Sequence, residues 1–131
     1  MVTGKLSGVC VGVVDDDESI RRSVARLLRA VGMHAITYES AEAFRADVKA
    51  PHFDCLVLDV QLPGMSGIDL RNQLAAEASA TPVLFVTAYD DPKALEDAMA
   101  GQCMGFFCKS DAGIGFLDAI RRIVSAPPSG P

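Results

Sequence analysis

Short apolar runs alternate with segments of helical period five times along this chain, and few folds accommodate that alternation. "VCVGVVD" (9–15), "MHAITY" (33–38), "FDCLVLD" (53–59), "PVLFVTA" (82–88) and "MGFFCK" (104–109) read as strands. The first, third and fourth are apolar almost throughout, which suits strands covered on both faces. Between them, "ESIRRSVARLLRAVG" (18–32) sets Ile20, Val24, Leu27, Leu28 and Val31 on one helical face and its arginines on the other. Gly32 is a natural stop for that helix. Ser40 is placed to cap a helix over "AEAFRADV" (41–48), with Glu42 in its first turn. A third helix is predicted over 67–78 and a fourth over 93–100, the latter opened by Asp91-Pro92. In the last helix Phe116, Leu117, Ile120, Ile123 and Val124 share a face. Five strands alternating with five helices imply right-handed βαβ crossovers: an α/β, doubly wound fold with a parallel sheet.

At 131 residues the chain is one domain with room for a single core. The expected layout is an N-terminal tail over 1–8, the domain over 9–125, and a Pro/Gly/Ser tail or truncated linker over 126–131. A net charge of −5 argues against direct nucleic-acid binding by this domain, which would need a basic footprint. No Lys/Arg-rich run favours an anionic membrane surface, and no apolar stretch approaches the ~20 residues of a bilayer span. The four cysteines, Cys10, Cys55, Cys103 and Cys108, form no CxxC pair and read as thiols of a reducing compartment. The expected location is the cytoplasm.

Each central strand ends on an ionisable or reactive residue. The first leads into Asp15-Asp16-Asp17, the third ends on Asp59, the fourth carries Thr87 and the fifth Lys109. Each has an ordinary explanation alone: a helix N-terminus decorated with acids, a loop cap, a strand threonine, a snorkelling lysine. Their arrival together at one sheet edge favours a site, because ligands of open α/β sheets bind beyond the carboxyl ends of the strands. If the first and third strands are neighbours, Asp15 or Asp16 stands close to Asp59. Carboxylates so grouped repel unless a cation joins them, and magnesium takes one or two carboxylates while keeping several waters.

The blocks "VVDDDESIRRSVARLL", "LVLDVQLPGMSGIDL", "PVLFVTA" and "GFFCK", in this order and spacing, resemble the response-regulator receiver domain of two-component signalling over about residues 8–125. The first two are most similar to receivers that precede helix-turn-helix output domains. The resemblance implies a flavodoxin-like (βα)5 fold with strand order 2-1-3-4-5 and a phosphorylation-activated switch. It makes Asp59 the phosphoacceptor, supplied by a phosphohistidine of a sensor histidine kinase or phosphotransfer protein. Asp15 and Asp16, with Asp59 and the backbone carbonyl of Gln61, are implied to hold Mg2+. Thr87 and Lys109 correspond to the hydroxyl and ammonium that meet the phosphoryl oxygens, and Phe106 to the aromatic switch. Gln61 and Tyr89 correspond to positions that tune phosphate lifetime, Tyr89 by shielding or Gln61 by orienting water.

The implied output is a re-shaped face of the fourth helix, fifth strand and fifth helix, a surface also suited to homodimerisation. The sequence departs from the family downstream of Lys109. Ser110 stands where the family usually has proline, and a non-proline cis bond costs ~2.5–4 kcal/mol, which favours a trans Lys109–Ser110 bond. Asp111, Gly113, Gly115 and Gln102-Cys103 also depart from the pattern. Two other readings compete. One is a degenerate receiver acting as a constitutive interaction module. The other is an aspartyl-phosphate hydrolase, which would need a second acid where Gln61 stands. The receiver reading is that of a signalling domain and not an enzyme.

Overall fold

The computed structural model describes residues 8–87, 105–108 and 114–125, with side chains for all of these except 87, 105–108, 114 and 125. Strands β1 (Cys10–Val14), β2 (His34–Tyr38), β3 (Cys55–Asp59), β4 (Val83–Thr87) and β5 (Gly105–Cys108) form one sheet in the order β2-β1-β3-β4-β5. All neighbouring pairs are parallel. Helices α1 (Glu18–Ala30), α2 (Ala41–Ala46), α3 (Gly67–Ala76) and a C-terminal helix (Ile114–Ser125) complete the described architecture. The doubly wound fold and strand order expected from the sequence are therefore those observed. The helix expected over 93–100 lies outside the described residues, as do both tails, Tyr89, Lys109 and the Lys109–Ser110 bond.

Strand alternation divides the core in two. Val11, Val13, Cys55, Val57, Leu84 and Val86 face α1 and the C-terminal helix, whose Val24, Leu28, Phe116, Ile120 and Ile123 pack onto them. The residues between them, including Val14, Leu56, Leu58, Val83 and Phe85, face the layer holding Phe53 and Leu70. Full burial of each such Val, Leu, Ile or Phe side chain contributes ~1.5–3 kcal/mol, so the two-sided sheet is the main source of stability. Tyr38, Phe44 and Phe53 meet edge-on or tilted at ring separations of 5.3–6.4 Å in the second layer.

Two helices are shorter than their sequence patterns. α2 stops at Ala46 because Asp47 turns away, its carboxylate accepting from the Tyr38 hydroxyl at 2.6 Å and the Lys49 N–H at 3.1 Å. α3 stops at Ala76, and Ala78 carries the left-handed turn at φ 62°. Gly32, at φ 91°, follows the end of α1 as expected. Among the described residues, Cys10 and Cys55 are buried free thiols, and no helix is long and apolar enough to cross a membrane.

Candidate functional site

The chain leaves β1 toward β2 on one side and later enters β3 on the other, so a crevice opens between the carboxyl ends of β1 and β3. Val14 pairs with Leu58 across these strands, which brings the residues that follow each to the same edge. One ligand oxygen from each of Asp15, Asp16 and Asp59 lies within 4.8 Å of the others. Asp15 and Asp59 are buried, at 1% and 2% exposure, and Asp16 is exposed.

Local hydrogen bonds sort the acid triplet into two roles. Asp15 N–H donates to the Tyr38 carbonyl at 3.1 Å, and the Asp15 carbonyl accepts from the Arg21 guanidinium at 2.9 Å. Its Oδ1 accepts from Asp17 N–H at 2.9 Å, an Asx-type turn. Asp17 in turn caps α1, accepting from Ser19 N–H and Ile20 N–H at 2.9 and 3.3 Å. The helix-capping reading of the triplet thus holds for Asp17, and the cluster reading for Asp15 and Asp16.

Asp59 closes β3, and its Oδ1 accepts from Gln61 N–H at 3.0 Å. The next amide, Val60 N–H, donates to Val86 of β4 at 2.9 Å, which fixes the strand end against its neighbour. The chain then turns through Pro63-Gly64, and Ser66 and Asp69 form a reciprocal capping box that starts α3. Gly67 lies against the back of Asp59: a Cβ there would stand 2.1 Å from the Asp59 carbonyl oxygen. The contact of Gly67 with the Asp59 carbonyl depends on the distance between α3 and β3, which the sequence pattern does not record. Sequence reasoning also missed buried Arg71, whose guanidinium carbon lies 5.4 Å from the Phe85 ring centroid.

The donor set fits a small hard cation. Among the described residues it offers three carboxylates and no nitrogen or sulfur, and exposed Asp16 leaves room for the waters magnesium retains. The backbone of Thr87 ends β4 and that of Phe106 lies in β5, with Thr87 paired to Cys108. Their side chains, and all of Tyr89 and Lys109, lie outside the described residues.

The family model for the response regulator receiver domain matches residues 11–121. Nodulation protein W of Bradyrhizobium diazoefficiens is 37% identical over 110 residues, covering 84% of this chain and 48% of that protein. Response regulator protein TmoT of Ectopseudomonas mendocina is 34% identical over 117 residues, covering 88% of this chain and 53% of its own. The chain thus spans about half the length of these curated relatives. Among solved structures, FixJ-N superposes with a TM-score of 0.83 at 28% identity, covering 95% of this chain and 99% of that one. The response regulator StyR gives 0.76 at 36% identity, covering 90% and 60%. An acid cluster at the β1/β3 crevice, a 2-1-3-4-5 sheet and a family match over most of the sequence lead to one conclusion: this chain belongs to the response regulator receiver domain family.

Proposed function

We propose that Asp59 accepts a phosphoryl group from a phosphohistidine of a sensor kinase or phosphotransfer protein, in the cytoplasm, and that the change is passed to a partner or attached output domain. The observation that carries this reading is the convergence of Asp15, Asp16 and Asp59 within 4.8 Å at the sheet's carboxyl edge. An Asp59 carboxylate oxygen attacks phosphorus as the P–N bond breaks, and the imidazole leaves with the electron pair and takes up a proton. Asp15, Asp16, Asp59 and the Gln61 carbonyl would hold Mg2+, which when bound supplies positive charge for the phosphoryl oxygens.

The protein's own task is in-line positioning. The Gln61 N–H to Asp59 Oδ1 bond supports it by limiting rotation of the acceptor carboxylate. Thr87 and Lys109 meet the remaining phosphoryl oxygens, and Phe106 turns into the space Thr87 leaves. Gln61 and Tyr89 then set how readily water reaches the acyl phosphate. Output runs through the face of the 93–100 segment, β5 and the C-terminal helix, which also serves as a homodimer surface. The domain spans 9–125, and 126–131 is a Pro/Gly/Ser tail or truncated linker. Relatives such as the transcriptional regulatory protein TdiR of Thauera aromatica, 34% identical, support regulation of transcription by the whole protein.

A degenerate module gains nothing from three converging carboxylates, and Gln61 gives a hydrolase no second acid. The DrrB receiver domain, 26% identical with a TM-score of 0.80, has been solved in a BeF3-activated form, which motivates the test. Titration with beryllofluoride and Mg2+ together should produce a saturable spectral change that neither gives alone. An unchanged spectrum at saturating concentrations of both rejects the proposal.

A further inference from the structure

Glu42 stands outside the acid cluster, in the first turn of α2, yet its carboxylate reaches the loop that leaves Asp59. Its Oε2 accepts from Met65 N–H at 2.8 Å. Gly64, one residue earlier, sits at φ +74°, and a Cβ there would come within 2.6 Å of the same oxygen. The carboxylate therefore lies against the bare side of Gly64 while it bonds Gly64's neighbour, a combination that favours glycine twice over. The Met65 N–H, followed by Glu42's own backbone amide, holds the Glu42 carboxyl below its ordinary range.

The segment between β3 and α3 is secured at both ends. Val60 bonds β4, Gln61 N–H bonds Asp59, and Gly67 N–H reaches the Val60 carbonyl at 3.3 Å. Its middle is less protected: Pro63 and Gly64 are exposed, with buried Leu62 on one side and half-buried Met65 on the other. Glu42 reaches this middle from another helix, and the Gln61 carbonyl lies between that point and Asp59 in the chain.

We infer that Glu42 is a positioning residue for the phosphoryl-transfer site: by accepting the Met65 N–H it sets the path of residues 60–66, and with it the orientation of the Gln61 carbonyl beside Asp59. The inference rests on the proposed reading of the site and extends it to a side chain on α2. Glu42→Ala removes the acceptor, whereas Glu42→Gln keeps an oxygen that can take the same hydrogen bond. In metal-free protein, Glu42→Ala should shift the Met65 and Gln61 amide resonances. It should also weaken Mg2+ binding by about threefold to tenfold, as loss of one such bond implies.

Glu42→Gln should restore both readouts, and both variants should keep a cooperative melt because Glu42 is exposed. A wild-type Gln61 resonance and Mg2+ affinity in Glu42→Ala overturns the inference, as does a Glu42→Gln variant no better than Glu42→Ala. Wild-type protein that fails to bind Mg2+ counts against the reading of the site itself. The metal-free Gln61 resonance then still decides whether Glu42 positions the loop.

Discussion

Replacing Gly67 with alanine is the most direct way to disturb Asp59 without touching its carboxylate. An alanine Cβ would stand 2.1 Å from the Asp59 carbonyl oxygen and 2.9 Å from its carbon, both backbone atoms with no rotamer to escape into. A relaxed carbon contact lies at about 3.5 Å, so α3 and the end of β3 must part by roughly 1 Å. That movement strains the 3.3 Å bond from Gly67 N–H to the Val60 carbonyl and shifts the backbone carrying Asp59. Overpacking of this kind costs about 1–3 kcal/mol, equivalent to a fall in melting temperature of up to roughly 10 °C for a domain of this size.

A misplacement near 1 Å at the reacting group costs about 100-fold in rate. Thermal melts and the rate of phosphorylation by a small-molecule phosphodonor should both show the defect, with the rate affected more severely. Gly12→Ala is the control. Its Cβ would meet the Leu56 Cδ2 and the Phe53 ring, side-chain atoms able to move, so stability should fall with the rate largely kept. A Gly67→Ala protein with wild-type melting and wild-type rate would refute the close approach on which this reasoning depends.

Three further outcomes are expected. In the presence of a chelator, Asp16→Asn should melt several degrees above wild type because one of three converging carboxylates is gone, and added Mg2+ should narrow the gap; equal melting without metal contradicts this. Burial pushes the Cys55 thiol from the ordinary 9.0 up to about 12, with Asp54 adding to the effect, so alkylation should require unfolding. This raised value contributes stability that is fully present below about pH 9 and is lost as pH climbs toward 12. Tyr38→Phe removes the 2.6 Å bond to Asp47 and should cost about 1 kcal/mol in denaturant unfolding, leaving Mg2+ affinity unchanged.

The sheet was legible in the sequence because its signal is local: each buried strand is a short apolar run, and the strand-terminal acids stand out against it. The residues at those ends could be assigned to one edge for the same reason, since parallel strands carry their carboxyl ends together. The resemblance separated Asp15 and Asp16 from Asp17, but the Asx turn from Asp17 to Asp15 and the capping of α1 by Asp17 are set by local backbone geometry that spacing alone does not fix. Gly67 and Glu42 were hidden for a different reason. Their contacts, to Asp59 and Met65, join elements whose separation no one-dimensional pattern records. Arg71 breaks the usual rule for charged helix residues, and nothing in the spacing of α3 marks it as buried. The early end of α2 was likewise set by a partner on β2, the Tyr38 hydroxyl, and not by any stop signal in the helix itself.

The central claim is that the carboxylate closing β3 takes the phosphoryl group. Peptide mapping by mass spectrometry after incubation with a small phosphodonor and Mg2+ tests it most directly. One phosphoryl group should map to Asp59 in the wild type and none should be detected in a folded Asp59→Asn variant. Full labelling of that variant, or a phosphoryl group mapped to another residue in the wild type, would contradict the assignment.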